Sequence, residues 1–306
     1  MSLDTIRAEL RAKYGKDNKI KVLDEIGHVF VVDCMGGDVR IEEAARISYE
    51  DARPISDTRK LLRHLMRERH TSPFEQVAIT LDIKLPIFVA RQLVRYRTQK
   101  LNELSGRYSV LPEEFYTPPV DQVCYQTSSN KQGRSAKRFP LGEAEQLRGQ
   151  MIGEANESFA SYRQFIGAGM ARETARIGLP LSTYTHWVTT WDLHNLLHML
   201  EQRLDPHAQW EIRQYAEAIW RIVQDWCPLA AEAFVDYRLE AKTFSRKEVE
   251  ALRRMVKGYA RDEQLEAESR GISGTTEGDH VLLLLEDVGG LTNREQDDFF
   301  SKLGLR

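Results

Sequence analysis

Cysteine is scarce in this chain of 306 residues: Cys34, Cys124 and Cys227 are odd in number and far apart. They form neither a disulfide framework nor a Cys-x-x-Cys metal knuckle, so the expected state is reduced. None has the setting of an activated nucleophile. Cys34 closes a predicted strand before Gly36-Gly37, Cys227 precedes Pro228 at a helix end, and Cys124 falls in a loop. An activated thiolate needs a nearby base or positive charge, which sequence proximity does not supply. Long apolar runs are missing too, and none approaches the roughly 20 residues that span a bilayer. Met1 to Lys16 carries charges throughout and has no apolar signal-peptide core, which points to a cytoplasmic protein with no membrane partner. Nor is there an excess of one charge: a formal net charge of -3 gives no global drive toward nucleic acid or anionic lipid. No Gly-x-Gly-x-x-Gly follows a strand, so a Rossmann domain is not indicated. Internal repeats and low-complexity tracts are likewise absent, which removes the solenoid architectures.

What remains is an ordinary globular composition, 42% hydrophobic and 29% charged, with enough length for a sizeable core. Leu3, Ile6, Leu10 and Tyr14 recur at helical spacing and predict a short amphipathic helix. Ile20–Leu23 and His28–Asp33 read as strands around a turn at Glu25–Gly27, followed by a helix over Val39–Tyr49. A second helix is expected from Ser56, whose hydroxyl can cap it. Val77, Ile79, Leu81, Ile83 and Leu85 alternate with Ala78, Thr80, Asp82 and Lys84, the pattern of a half-buried strand. Pro86 suits the first position of a helix running from Ile87 to about Arg97. Thr127–Arg138 reads as a polar loop, with Lys131–Arg138 mobile and solvated, and Ser182–Trp191 as β-rich within a mostly helical second half. The fold class is therefore α+β, a sheet-containing domain with a largely helical second half. Trp187 to Trp226 contributes aromatics that read as core. The expected division is a catalytic domain over 1–240 and a charged, mostly helical extension of unknown role over 241–306. That extension opens with a capping box at Ser245 and Glu248, and Gly271–Gly278 reads as a loop before Val281–Leu285.

The most informative stretch is Arg91 to Ser109, RQLVRYRTQKLNELSGRYS. It holds Arg91, Arg95, Arg97, Lys100 and Arg107 among short polar residues, and guanidinium groups at this density do not build an apolar core. On a helix, Gln92 and Arg95 share a face while Arg97 projects to nearly the opposite side. Ser105 offers a hydroxyl, Gly106 a closely approachable backbone and Arg107 a bidentate fork, a set suited to a nucleotide phosphate. By composition alone, a solvated basic face with salt bridges explains the stretch as well.

The order of residues goes further than composition. Arg95-Tyr96-Arg97, seven residues, then Ser105 resembles the Arg-His-Arg signature of the flavin-dependent thymidylate synthases, with Asn102-Glu103 and Gly106 to Ser109 also matching. Four more blocks resemble that family in its order: His70 to Glu75, Pro86 to Gln92, Ala175 to Pro180, and Arg203 through His207 to Glu211. The resemblance spans about residues 20–240. It implies that Gln92, Leu93, Val94, Arg95, Glu103, Leu104, Ser105, Gly106, Arg107, Arg176 and Arg203 surround deoxyuridine monophosphate (dUMP). It likewise implies that Ser72, Arg95, Tyr96, Arg97, Glu103, Asp192, Leu193, His194 and His198 hold FAD. NADPH and methylenetetrahydrofolate are implied as co-substrates, a homotetramer with shared sites as the assembly, and no metal. Arg203 is implied beside the pyrimidine as the catalytic charge, while Ser105, which has no evident base beside it, is assigned to substrate binding. Tyr96 departs from the family's usual histidine. An unperturbed tyrosine titrates near about 10, so the expectation is a flavin contact set by Arg95 and Arg97, not an acid or base.

Two other readings compete. His194 and His198 stand one helical turn apart with His207 beyond, which is also zinc-ligand spacing, though Asn195 occupies the place of the zinc proteases' general base. Arg91–Lys100 with Lys131, Arg134, Lys137 and Arg138, interleaved with Tyr96 and Tyr108, could instead be a nucleic-acid binding module. The balance of charge and the lack of any RRM or KH signature weigh against it.

Overall fold

The structure is a computed structural model that describes residues 3–47, 57–128 and 132–255. In chain order the elements are α1 (Leu3–Tyr14), β1 (Ile20–Lys21), β2 (His28–Met35), α2 (Asp38–Arg46), α3 (Thr58–Arg67), β3 (Ala78–Pro86), α4 (Ile87–Leu93) and β4 (Lys100–Glu103). They continue as β5 (Cys124–Gln126), β6 (Arg134–Arg138), α5 (Leu141–Gly167), α6 (Arg172–Ala175), β7 (Tyr184–Asp192), α7 (Leu193–Arg203), α8 (Trp210–Trp226) and α9 (Pro228–Phe234). A π-helical turn, Val235–Leu239, closes the series. The class is the expected mixed α+β one. By contacts the chain divides into a unit over 1–240 and a unit over 241–306.

Five strands form one antiparallel sheet in the order β1-β2-β3-β7-β4. The alternation read from β3 sets its two faces. Ile79, Leu81 and Ile83 are buried opposite Trp191, Thr189 and Trp187 of β7, while Asp82 and Lys84 take the other face. On β2 the spacing of apolar residues breaks from two to three, since Val29, Val31 and Cys34 are all buried. A register shift between Val31 and Asp33 accounts for this: one extra residue, Val32, returns Cys34 to the core side opposite Ile79.

Helices cover the apolar face. α8 buries Ile212, Tyr215, Ile219, Ile222, Val223 and Trp226, a stripe at three- and four-residue spacing. α9 starts with Pro228 at its first turn, and the Asp38 carboxylate accepts the amides of Leu229 (2.8 Å) and Ala230 (3.0 Å). This cross-helix cap satisfies first-turn amides that have no partner within the helix, while Pro228 itself has no N–H to leave free. α7 begins where β7 ends: Asp192 accepts the Asn195 amide at 2.9 Å as its cap. Leu193, Leu196, Leu197, Met199 and Leu200 face the core, which leaves His194, His198 and Glu201 on the outer row.

Several local expectations are corrected. The helix of α3 is capped by Asp57, which accepts the Lys60 amide; Ser56 lies outside the described residues. α2 ends at Arg46, and Tyr49 lies outside them as well. Pro86 closes β3 and caps α4 instead of opening it. α4 stops at Leu93 and does not reach Arg97. The chain must reverse there to bury Tyr96 and to pair β4 with β7, and Gln99 Nε2 takes the freed Leu93 carbonyl at 2.8 Å. Arg134–Arg138, expected to be solvated loop, is a strand paired with Cys124–Gln126. Within the second unit, residues 246–255 are helical, with the Ser245 amide on Glu248 (2.7 Å) and the Glu248 amide on Ser245 Oγ (3.3 Å), the capping box read from the sequence. Gly271–Gly278 and Val281–Leu285 lie outside the described residues.

Candidate active site

The end of α4 places the signature arginines. Arg91, Val94, Arg95 and Arg97 line one open groove of about 590 Å³, and the guanidinium groups of Arg95 and Arg97 are exposed there. Gln92 donates to Gln209 Oε1 at 2.7 Å, which ties the signature to the loop before α8. Between the two arginines Tyr96 turns inward and is only 9% exposed. Its hydroxyl donates to Gln202 Oε1 at 2.8 Å, and its ring meets His198 edge-on at 6.0 Å and Trp191 at 6.1 Å. The Arg203 guanidinium lies over the same ring at 5.4 Å, while its buried Nε has no hydrogen-bond partner. Burial raises the Tyr96 phenol above its ordinary value, although the nearby Arg203 charge opposes this. Tyr96 is therefore positioned by Trp191, His198, Gln202 and Arg203, not by Arg95 and Arg97 as the sequence suggests.

Beyond β4 the Ser105 region forms a tight turn. Ser105 Oγ accepts the Arg107 amide at 3.3 Å, and its carbonyl accepts the amides of Tyr108 and Ser109. A side chain at Gly106 would come within 3.1 Å of Arg176 Cδ and Leu111 Cδ1, so the bare backbone is what lets Arg176 approach. Arg107 Nε bonds Glu173 Oε2 at 3.1 Å, and Arg107 lines a second concavity with Tyr108, Arg172 and the end of α5. Leu104 is partly exposed, its amide bonded to the His186 carbonyl at 2.8 Å. The Glu103 carboxylate accepts the Thr185 hydroxyl at 2.6 Å.

The outer row of α7 faces α3 across a cleft of about 240 Å³. His194, His198 and Glu201 line it with Arg69, His70, Thr71 and Arg238, over a floor that includes Leu65, Met66, Leu197 and Phe234. Arg69 has a φ of 59°. It stands at the helix-ending position usually given to glycine: its amide bonds the Met66 carbonyl and the His70 amide bonds the Leu65 carbonyl. That left-handed conformation costs on the order of 1 kcal/mol for an arginine, and it turns the side chain onto the cleft rim. The cleft pairs an apolar wall with cations and ring nitrogens, a donor set that fits a flavin dinucleotide. Ligand pockets run to roughly 300–1,000 Å³. At its size this cleft seats only part of such a molecule.

The predicted residues are thus divided. His194 and His198 meet the His70 block; Ser105 to Arg107 meet Arg176; Arg95 and Arg97 share a groove; Tyr96 and Arg203 are in contact. Ser72 is exposed next to the cleft residue Thr71, and Asp192 is engaged as a helix cap. Leu93 and Leu193 are buried in the core, so their side chains face no ligand surface. Sequence reasoning missed Arg69, Glu201 and Arg238. A left-handed arginine leaves no mark in a sequence, and Arg238 lies beyond the last of the five blocks, just before the charged extension.

The rival readings fare worse. His207 is exposed and bonded to Asp205 at 2.9 Å, while His198 Nε2 faces Gln202 at 3.2 Å. Among the described residues, the histidines and carboxylates close enough to share an ion are His28, Asp82 and His186, not His194, His198 and His207. For a nucleic-acid surface, Tyr96 is buried, Arg134 is ion-paired with Glu211, Lys137 lies over Tyr125, and Lys131 is outside the described residues. The two buried thiols also stay unactivated. Burial and the Asp33 charge push Cys34 up to about 11, and burial with the Asp38 and Cys34 charges holds Cys227 well above the usual range.

Comparison with known proteins supplies the remaining observations. Residues 30–229 match the family profile described as thymidylate synthase complementing protein. The chain is 45% identical over 243 residues to a flavin-dependent thymidylate synthase of Treponema denticola, covering 79% of this chain and 91% of that one. It is 47% identical over 239 residues to the flavin-dependent thymidylate synthase of Wolbachia pipientis wMel, covering 78% and 84%. Among solved structures it resembles the UMP/dUMP methylase PolB from Streptomyces cacaoi bound with 5-Br UMP. The TM-score there is 0.65 at 31% identity, over 72% of this chain and 99% of that one.

Proposed function

The chain belongs to the flavin-dependent thymidylate synthases, and on that premise we propose that it converts dUMP to thymidylate with methylenetetrahydrofolate, FAD and NADPH, releasing tetrahydrofolate. It is a methyltransferase, and its cofactor is FAD. The observation that carries the reading is 45% identity over most of both chains, together with a family match over residues 30–229 that includes all five blocks.

Uracil C5 is a weak nucleophile until electron density is pushed into the ring. With Cys34 and Cys227 buried as thiols, that density must be stabilised by oriented donors instead. Arg203 is the residue proposed for this. Its buried Nε lacks a partner, and its guanidinium is held against Tyr96 at the C-terminal end of α7, where a cation is favoured. Ser105, Gly106, Arg107 and Arg176 hold the nucleotide phosphate; Gln92 and Arg95 flank them. Arg69, His70, His194, His198 and Arg238 hold the cofactor, which when bound supplies the reducing hydride. The test is anaerobic: the purified protein should show flavin absorbance that NADPH bleaches, and turnover of dUMP should yield tetrahydrofolate. A colourless protein that takes up no FAD, or dihydrofolate as the product, would overturn the reading. UMP in a parallel assay separates the ribonucleotide from the deoxyribonucleotide.

A homotetramer with shared sites is part of the same proposal. The proposed ligand residues lie in three separate concavities, and large apolar side chains are exposed beside them, with Tyr108 at 78%, Ile177 at 77% and Leu181 at 67%. Exposed apolar patches of this kind mark association surfaces. Sedimentation should give a tetramer, and a fully active monomer would exclude shared sites. A cytoplasmic location completes the proposal, resting on three free cysteines. No helix among the described residues is long and apolar enough to cross a membrane.

Two further outcomes are expected. A chain ending at Glu240 should fold and retain FAD, because the family match ends at residue 229; loss of flavin would assign residues 241–306 to the working core. Tyr96→Phe should keep FAD and most of the turnover. It removes one hydrogen bond to Gln202, worth about 1 kcal/mol of stability, and keeps the ring under Arg203. Abolished chemistry with FAD still bound would make the hydroxyl catalytic.

A further inference from the structure

The face of the sheet opposite Leu81 and Ile83 carries a second cluster that the synthase reading does not use. Asp82 sits on β3, the central strand, and His28 on β2 and His186 on β7 are both paired with Lys84, two residues along. Side chains two apart on a strand share a face, so the two histidines flank β3 and each lies diagonal to Asp82. Both Nε2 atoms converge on the same carboxylate oxygen, His186 at 2.6 Å and His28 at 3.2 Å from Oδ1. His28 and Asp82 are buried, whereas the His186 side chain is 42% exposed and leaves one side open to solvent.

The partner of the other ring nitrogen makes this more than a hydrogen-bonded cluster. His28 Nδ1 faces the Ile26 carbonyl at 3.3 Å. With the ring proton on Nδ1, toward that carbonyl, Nε2 presents a lone pair that can share a cation with the Asp82 carboxylate; with the proton on Nε2 the pair is an ordinary hydrogen bond. A backbone carbonyl on the remote nitrogen is also the arrangement that orients metal-bound histidines. We propose that His28 Nε2, His186 Nε2 and the Asp82 carboxylate bind a divalent transition ion of the zinc type, with a fourth position open to solvent.

The geometry suits such an ion. Tetrahedral zinc with nitrogen and oxygen ligands at about 2.0–2.2 Å has ligand-to-ligand edges of roughly 3.3–3.5 Å. The three ligand atoms already lie within 4.8 Å of one another, and the His28–Asp82 edge is 3.2 Å. The shorter His186 edge opens by a small rotation of a half-exposed ring. Two imidazoles with one carboxylate favour zinc, iron or copper over magnesium or calcium. Lys84, the nearest cation on this face, has its ammonium paired with Glu114 at 2.5 Å. An ion here would clamp β2, β3 and β7 together, and it stands apart from His194 and His198.

The full chain, with FAD bound and treated with a chelator, is titrated with Zn²⁺ against a chromophoric competitor, and in parallel with Co²⁺, whose visible spectrum reports coordination geometry. The expected result is one ion per chain, a tetrahedral Co²⁺ spectrum and a raised melting temperature with Zn²⁺. His186→Ala, at the exposed ligand, should weaken binding at least a hundredfold with its apo melting curve intact, and Asp82→Asn should do the same. No stoichiometric binding, including the case in which His28 merely takes up a second proton, overturns the proposal. So does binding that survives His186→Ala, or binding that is lost instead in a His194→Ala, His198→Ala variant.

Discussion

Replacing Arg203 by alanine is expected to lower turnover about a hundredfold, close to 3 kcal/mol in the transition state, while bound FAD stays near the native level. The loss should fall on kcat more than on KM, because the proposed interaction strengthens only as negative charge develops in the pyrimidine. Arg203 also packs over Tyr96, and that contact by itself is worth about 0.5–2 kcal/mol of stability. Two companions separate packing from charge. Tyr96→Phe keeps a ring beneath the guanidinium and should stay active, whereas Arg203→Lys keeps a charge without the planar fork and should recover only part of the rate. Near-native turnover in Arg203→Ala would remove Arg203 from the reaction. Loss of flavin in parallel with activity would make it a cofactor or packing residue.

Arg134→Ala is expected to destabilise the fold by about 3 kcal/mol, the cost of leaving a buried carboxylate without its counter-charge. Glu211 is 1% exposed at the start of α8, and its carboxylate accepts from Arg134, from the Tyr116 hydroxyl at 3.1 Å and from Gln209 Nε2 at 3.0 Å. The two neutral donors remain in the variant, which keeps the cost at the low end of the range for a broken buried pair. Each kcal/mol shifts the melting temperature of a domain this size by about 2–4 °C, so a fall of roughly 10 °C is expected. Adding Glu211→Gln should restore much of it, since a neutral amide no longer needs the guanidinium. An unchanged melting temperature in Arg134→Ala would return the β5–β6 hairpin to the solvated loop its composition suggests.

That hairpin shows where the sequence stops being readable. Arg134, Lys137 and Arg138 stand among serines, an asparagine and Gly133, and their composition is that of a loop. In the structure the segment pairs with Cys124–Gln126, and Arg134 reaches Glu211, far along the chain, while Lys137 lies over Tyr125. Tyr96 is similar. Between two exposed arginines it reads as part of a basic face, yet it is buried because Trp191, Gln202 and Arg203 offer a ring-sized slot with a hydrogen-bond acceptor. The family blocks were legible because they are local strings, and the site they build was legible only as a set of names. Which members meet is decided by α7 laying His194 and His198 against the end of α3, and by Gly106 admitting Arg176.

The sequence by itself determined the alternating strand read at Val77–Leu85 and found at Ala78–Pro86, the helix at Leu3–Tyr14, the capping box at Ser245 and the order of the signature blocks. Each follows from side-chain period, local hydrogen bonding or direct succession along the chain. Tertiary structure alone decided the rest: the early end of α4, the left-handed Arg69, the pairing of β6 and the meeting of His28, Asp82 and His186. Apart from Arg69, whose helix-ending bonds are local but leave no residue signature, those depend on strand register and on burying polar atoms beside partners far apart in sequence.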